Sequence, residues 1–150
     1  MTEIALKNDL NELARLAGAL EAFASAHALP DSALLALNLA LEELVTNTIT
    51  YGFTDGRTHI IDISLHLDGP DLHVRVEDDA AAFNPLAQPA PNLDAPIADR
   101  PVGGLGIHLA RTLMDDMRYE RAGSRNVVVL RKRVADADAS LNKNEHHGNR

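Results

Sequence analysis

The chain has no cysteine and no tryptophan, and aromatic residues make up only 3% of it. Without cysteine it can form neither disulfides nor thiolate metal sites. So few aromatics leave little for nucleic-acid bases to stack on. A formal net charge of -8 further opposes a phosphate backbone, which rewards clustered Lys and Arg. The dense basic run Arg131-Lys132-Arg133 reads as solvation of a strand end, so no nucleic-acid partner is expected. No apolar run approaches the length that crosses a bilayer, and Met1-Thr2-Glu3-Ile4-Ala5 lacks the basic start and apolar block of a secretory signal. A cytoplasmic protein without a membrane partner is the expectation.

What is present suits one compact core: 150 residues, 45% of them hydrophobic. Residues 3–7 suit a short strand. From Asn8 or Asp9 as a cap, Leu10, Leu13, Leu16, Leu20 and Phe23 recur at helical steps until Pro30, and a second helix, capped by Asp31 or Ser32, runs to about Tyr51 and stops at Gly52. Ile61, Ile63, Leu65 and Leu67 then alternate with polar residues, as do Leu72, Val74 and Val76 beyond Asp68-Gly69-Pro70-Asp71, which predicts an antiparallel hairpin with one buried face. Residues 85–101 hold five of the seven prolines and predict an extended surface loop. A third helix is predicted from about Gly104 to Met117, followed by a second hairpin of residues 118–121 and 126–133 turned at Ala122-Gly123-Ser124. The domain is therefore placed at residues 1–133, with 134–150 a polar tail predicted to be disordered. There is no internal repeat.

The second helix is apolar nearly all round, which suits a sandwiched position. At about 100° per residue, Leu34, Leu37, Leu41 and Val45 share one stripe, and Ala36, Ala40, Glu43 and Asn47 the opposite one. A polar pair on a small-residue face leaves room for a ligand. Asn47 offers an uncharged oxygen suited to Mg²⁺, and Glu43 could take a proton from an attacking hydroxyl. The plainer alternative, two solvated carboxylates and an amide at a helix end, stays open on this segment alone. Gly103, Gly104 and Gly106 likewise read as a phosphate-accepting helix N-terminus or as a flexible junction. A third segment, Glu77-Asp78-Asp79-Ala80-Ala81-Ala82, brings an acidic pair to a strand end, where a carboxylate can accept the exocyclic amine of adenine.

In their order and spacing, Glu43-x-x-x-Asn47, Asp78 and Gly104-x-Gly106 resemble the N, G1 and G2 boxes of the GHKL ATPase superfamily. More closely, Glu42-Glu43-Leu44-Val45-Thr46-Asn47-Thr48-Ile49 and the segment Gly103-Gly104-Leu105-Gly106-Ile107-His108 resemble the anti-sigma factor serine kinases of the RsbW and SpoIIAB type. The resemblance spans roughly residues 1–133. It implies an α/β (α+β) fold, a two-layer Bergerat sandwich with helices on one face of a mixed, mainly antiparallel sheet, and ATP held under a mobile lid at residues 85–101. It further implies Glu43 as general base, Asn47 as Mg²⁺ ligand, Asp78 as the adenine-binding carboxylate, and Gly103, Gly104, Leu105, Gly106, Ile107 and His108 as the phosphate-binding segment. Arg100, where the lid rejoins the glycines, is a candidate γ-phosphate contact. Candidate partners are a STAS-domain anti-anti-sigma protein that receives the phosphoryl group on serine, a sigma factor or other regulator, and a second copy of the chain in a homodimer. A nucleotide-responsive binding module without catalysis is the alternative.

The chain departs from the family's Asp-x-Gly-x-Gly pattern at Ala80 and Ala82. If either position needs positive φ, alanine costs about 1 kcal/mol and weakens a modified adenine site. His66 and His73 could face one another across the first hairpin, as solvent-facing strand residues rather than a metal site. For His108, a phosphate contact and a solvent-facing position both stay open.

Overall fold

The computed structural model describes residues 1–87 and 104–134. In chain order they form β1 (Thr2–Lys7), a 3-10 turn (Leu10–Glu12), α1 (Leu13–Ala26), α2 (Asp31–Tyr51), β2 (Ile60–Asp68), β3 (Asp71–Asp78), a second 3-10 turn (Pro85–Ala87), α3 (Gly104–Leu113), β4 (Asp116–Ala122) and β5 (Arg125–Arg133). The strands make one sheet in the order β1-β2-β3-β5-β4, and every pairing among them is antiparallel. This is the helix-and-sheet sandwich expected; residues 88–103, with Arg100, Gly103 and most of the expected lid, lie outside the described residues, as does the tail from 135 onward.

Alternation in the strands decides which face meets the helices. Ile61, Ile63 and Leu65 of β2, Leu72, Val74 and Val76 of β3, and Val128 and Leu130 of β5 are buried, and they join Leu16, Leu20 and Phe23 of α1 with Leu37, Leu41 and Val45 of α2 in one core. Both hairpins use two-residue loops whose first residue, Gly69 or Gly123, has positive φ (59° and 62°) while the second does not. That combination matches the right-handed strand twist and fixes the register. In the first hairpin it sets His66 opposite His73, as expected from their positions, with ring centroids 6.3 Å apart.

Three boundaries differ from expectation for identifiable reasons. Asp9 does cap, accepting from the Asn11 amide at 2.9 Å, but it opens the 3-10 turn, and α1 starts only at Leu13. Asp31 lies inside the first turn of α2 with Pro30 at the cap, so its carboxylate meets the positive end of the helix dipole rather than a cap amide. α3 ends at Leu113, not Met117, because Lys132 Nζ donates to the Leu113 carbonyl (2.8 Å) and the Asp115 amide to Arg131 O (2.9 Å), which turns the chain into β4. Between α1 and α2, Ala28 holds φ 52° while Leu29 N–H donates to Ala24 O at 2.9 Å, a left-handed helix stop made without glycine at a cost of about 1 kcal/mol. The core extends to Val134, which is buried and donates its N–H to Pro70 O at 2.8 Å.

Candidate functional site

A cleft of about 280 Å³ opens between α2 and the sheet. One helical face of α2 forms a wall, because Asn47, Thr48 and Tyr51 lie three, four and seven residues beyond Leu44. Val76 and Asp78 of β3, with Asn126 and Val128 of β5, make the floor, and the segment Ala80–Phe83 and Ile107 of α3 complete the lining. The cleft therefore brings together residues of the second helix, the end of β3 and the third helix, among them Asn47, Asp78 and Ile107.

At the β3 end, Asp78 is only 5% exposed. Its Oδ1 accepts from the Ala80 amide and from Asn126 Nδ2, both at 3.0 Å, while Oδ2 takes neither bond. Asn126, also 5% exposed, was not singled out by the sequence. Its signal was parity: it shares the inward side of β5 with Val128 and Leu130, so a polar residue there needs partners. Its register partners are Asp78 on β3 and Arg121 on β4.

Neither Ala80 nor Ala82 adopts positive φ, so the condition under which alanine would be costly at these positions is not met in this conformation. Glycine is needed instead at Gly52, where a Cβ would lie 2.6 Å from Thr48 O and 2.8 Å from the Ala80 methyl. Gly52 O also accepts from the Ala81 amide at 3.2 Å, so the end of α2 and the turn after β3 are fitted to each other. Alongside, His59 stacks on Phe53 (centroids 4.3 Å apart, 13° between planes), with Nδ1 3.1 Å from an Asp79 oxygen and Nε2 2.8 Å from an Asp55 oxygen. With a carboxylate at each nitrogen, the ring is held protonated above its ordinary value, chiefly through the hydrogen bond with Asp55; burial partly offsets this, and Asp79 adds a smaller upward contribution.

At the α3 end, Glu43 is half-buried and does not wall the cleft itself. It lies against Gly106, where a Cβ would come within 2.7 Å of Glu43 Cγ and closer still to its carboxylate. Gly106 is thus glycine to admit the carboxylate beside the first turn of α3. Burial raises the Glu43 carboxyl above its ordinary value; the hydrogen bond with Asn47, one turn along, partly offsets this, and the charge of Glu42 adds to it. Of the remaining residues named from sequence, Gly104 opens α3, Leu105 follows it, Ile107 is buried, and His108 points to solvent on the exposed side of the helix.

Over residues 6–132 the sequence matches the histidine kinase-like ATPase domain. The chain belongs to this family. Within it, the chain is 28% identical over 94 residues to the serine/threonine-protein kinase BtrW of Bordetella bronchiseptica and, over the same length, to an anti-sigma F factor of Clostridium novyi. Each match covers 63% of this chain and 66% of the relative, just under two-thirds of the relative's own length. It is also 28% identical over 114 residues to the serine-protein kinase RsbW of Listeria innocua, covering 71% of this chain and 69% of that one. Among solved structures it resembles the RsbU and RsbW domains of a Mycobacterium tuberculosis protein, with a TM-score of 0.63 at 15% identity over 89% of this chain and 31% of that one. A histidine kinase domain of Erythrobacter litoralis gives 0.52 at 18% identity, over 84% of this chain and 61% of that one. At such identities the structures share the fold of the histidine kinase-like ATPase domain and nothing finer.

Proposed function

We propose that the chain is an anti-sigma-type protein serine kinase that binds Mg²⁺-ATP, phosphorylates a STAS-domain anti-anti-sigma partner, and regulates transcription by exchanging that partner for a sigma factor. The observation that carries this reading is a cleft lined by a buried carboxylate, Asp78, and by Asn47, whose helical neighbour Glu43 carries a raised carboxyl seated against Gly106 in the first turn of α3. The names of the matched relatives, two of them kinases and one an anti-sigma factor, support it.

In this reading Asp78 Oδ2 accepts the adenine amine and would repel the carbonyl oxygen of guanine. The amides at the start of α3 receive phosphate oxygens. Among the described residues no group of three or more His, Cys, Asp or Glu forms a metal cage, but Mg²⁺ needs none when it arrives with phosphate and water. Asn47, on the cleft wall one turn from Glu43, has the neutral oxygen that suits such an ion. When bound, Mg²⁺ supplies charge neutralisation on the transferring phosphoryl group. Glu43 accepts the proton of the attacking serine hydroxyl as its oxygen bonds to the γ-phosphorus and the bond to ADP breaks; a raised carboxyl is the better base for this.

A binding module that responds to nucleotide without transferring phosphate is the second reading, favoured by the hydrogen bond that occupies Glu43 with Asn47. Labelled ATP, incubated with Mg²⁺ and a candidate STAS-domain partner, separates the two. Label on a partner serine is the expected result. Saturable ATP binding with no label transferred to any such partner would support the binding module instead.

A further inference from the structure

We infer that Tyr119 and Arg121, on the edge strand β4, are positioning residues that set base selectivity through Asn126 without touching the base. The inference rests on the reading of the cleft as an adenine-nucleotide site. Neither residue lines the cleft, yet both reach its floor. Tyr119 donates its hydroxyl to Asn126 Oδ1 at 2.6 Å, and Arg121 Nη1 donates to the same oxygen at 3.1 Å and to Ala80 O at 2.9 Å. Antiparallel pairing places them for this: Tyr119 sits opposite Val128 and Arg121 opposite Asn126.

An asparagine side chain can point either way, and its surroundings decide which. Asn126 Oδ1 meets three donors, the third being the Phe83 amide at 3.2 Å. Its Nδ2 meets Asp78 Oδ1 at 3.0 Å and the carbonyls of Ala81 and Ala80 at 3.0 and 3.3 Å. Flipping the amide would set its NH₂ against three donors and its oxygen against a carboxylate. The amide is therefore locked with its donor toward Asp78, which engages Oδ1 and leaves Oδ2 as the acceptor for a ligand. The same contacts hold the turn 80–83 that closes this end of the cleft. Two of the three donors that enforce the lock come from β4. Without them only the Phe83 amide holds Asn126 Oδ1, so Asn126 is less firmly fixed, the orientation of Asp78 loosens, and the distinction between an amine and a carbonyl at the base weakens.

The test uses Tyr119→Phe, which deletes one hydroxyl and keeps the ring, and Arg121→Met, with Arg121→Lys as the conservative counterpart. In nucleotide-free protein, hydrogen exchange at the Ala81 and Phe83 amides should quicken in Tyr119→Phe and Arg121→Met. In calorimetry, the ratio of ATP to GTP affinity should fall by about three- to tenfold, the range for losing one such bond, with partial rescue in Arg121→Lys. Combining Tyr119→Phe with Asp78→Asn should add little to Asp78→Asn alone, because the tyrosine acts through that carboxylate. A lowered melting temperature with unchanged exchange at Ala81 and Phe83 and an unchanged ATP to GTP ratio would overturn the inference, leaving both residues with a merely structural role. Wild-type protein that binds neither nucleotide would remove the proposed function, while the exchange measurement would still decide whether β4 holds the turn.

Discussion

At the β3 end of the cleft, Asp78 is fixed by a buried lattice of hydrogen bonds that runs across three strands through Asn126 to Arg121. Beside α3, Glu43 is held by a steric fit against Gly106 and a hydrogen bond with its helical neighbour Asn47. The first arrangement suits recognition, where a carboxylate must present one oxygen in one direction. The second suits chemistry, where a carboxylate must stay basic and free to take a proton. Rigidity and basicity pull apart: donors that orient a carboxylate also lower its affinity for protons. In the proposed reading the two demands fall on different residues, Asp78 in the cleft and Glu43 beside its Asn47 wall.

The largest break in that contrast is Glu43→Gln. It keeps the size and hydrogen bonding of the side chain and removes the proton acceptor, so phosphoryl transfer should fall about 10²–10⁴-fold while ATP still binds. Because Glu43 is held above its ordinary value of 4.5, transfer by the wild type should also decline as pH falls through that raised value, as the base becomes protonated. Rate against pH in both proteins checks this, and the acid limb should vanish from the residual activity of Glu43→Gln.

Gly106→Ala tests the steric half. The added methyl cannot coexist with the present Glu43 position. Overpacking of this kind costs about 1–3 kcal/mol, and transfer should drop more than ATP affinity does. Denaturant titration alongside steady-state rates separates the two effects.

At the other end, His59 offers a protonation test. Its folded value lies above the ordinary 6.5, so its contribution to stability is complete below about 6.5 and is lost as pH rises through the folded value. The charged groups around it are Asp55, Asp79 and, through Asp55, Arg57. Urea midpoints of wild type and His59→Gln should therefore converge as pH is raised. A gap that stays constant with pH would show that the stacking on Phe53, not the paired charge, holds the loop.

The smallest effect is expected from Ala80→Gly. Since Ala80 has no positive φ to relieve, glycine should not tighten ATP binding, and should lower stability by roughly 0.5–1 kcal/mol through chain entropy. Clear tightening would mean that nucleotide drives this turn into the left-handed region.

Much of this was legible in the sequence because it was local. Alternation across 61–67 and 72–76 set both the strand pairing and the buried face, and the Gly69-Pro70 and Gly123-Ser124 turns set the registers. Glu43 and Asn47 could be joined because they lie one helical turn apart. What was hidden depended on contacts between distant segments. The space left at Gly52 for the Ala80 methyl spans α2 and the turn after β3, and no local pattern indicates it. The locking of Asn126 by Tyr119 and Arg121 needs the order of β3, β5 and β4, which alternation alone leaves undetermined. Helix ends were misjudged where tertiary partners decided them, as Lys132 does for α3.

The most direct test of a cleft divided between recognition and chemistry is a calorimetric titration of Mg²⁺-ATP and Mg²⁺-GTP into wild type and Asp78→Asn. ATP should bind the wild type more tightly than GTP, and Asp78→Asn should weaken ATP by about tenfold or more, as expected for a charge-assisted bond worth ~1.5–3 kcal/mol, and erase the preference. Equal ATP affinity in the two folded proteins would contradict the account.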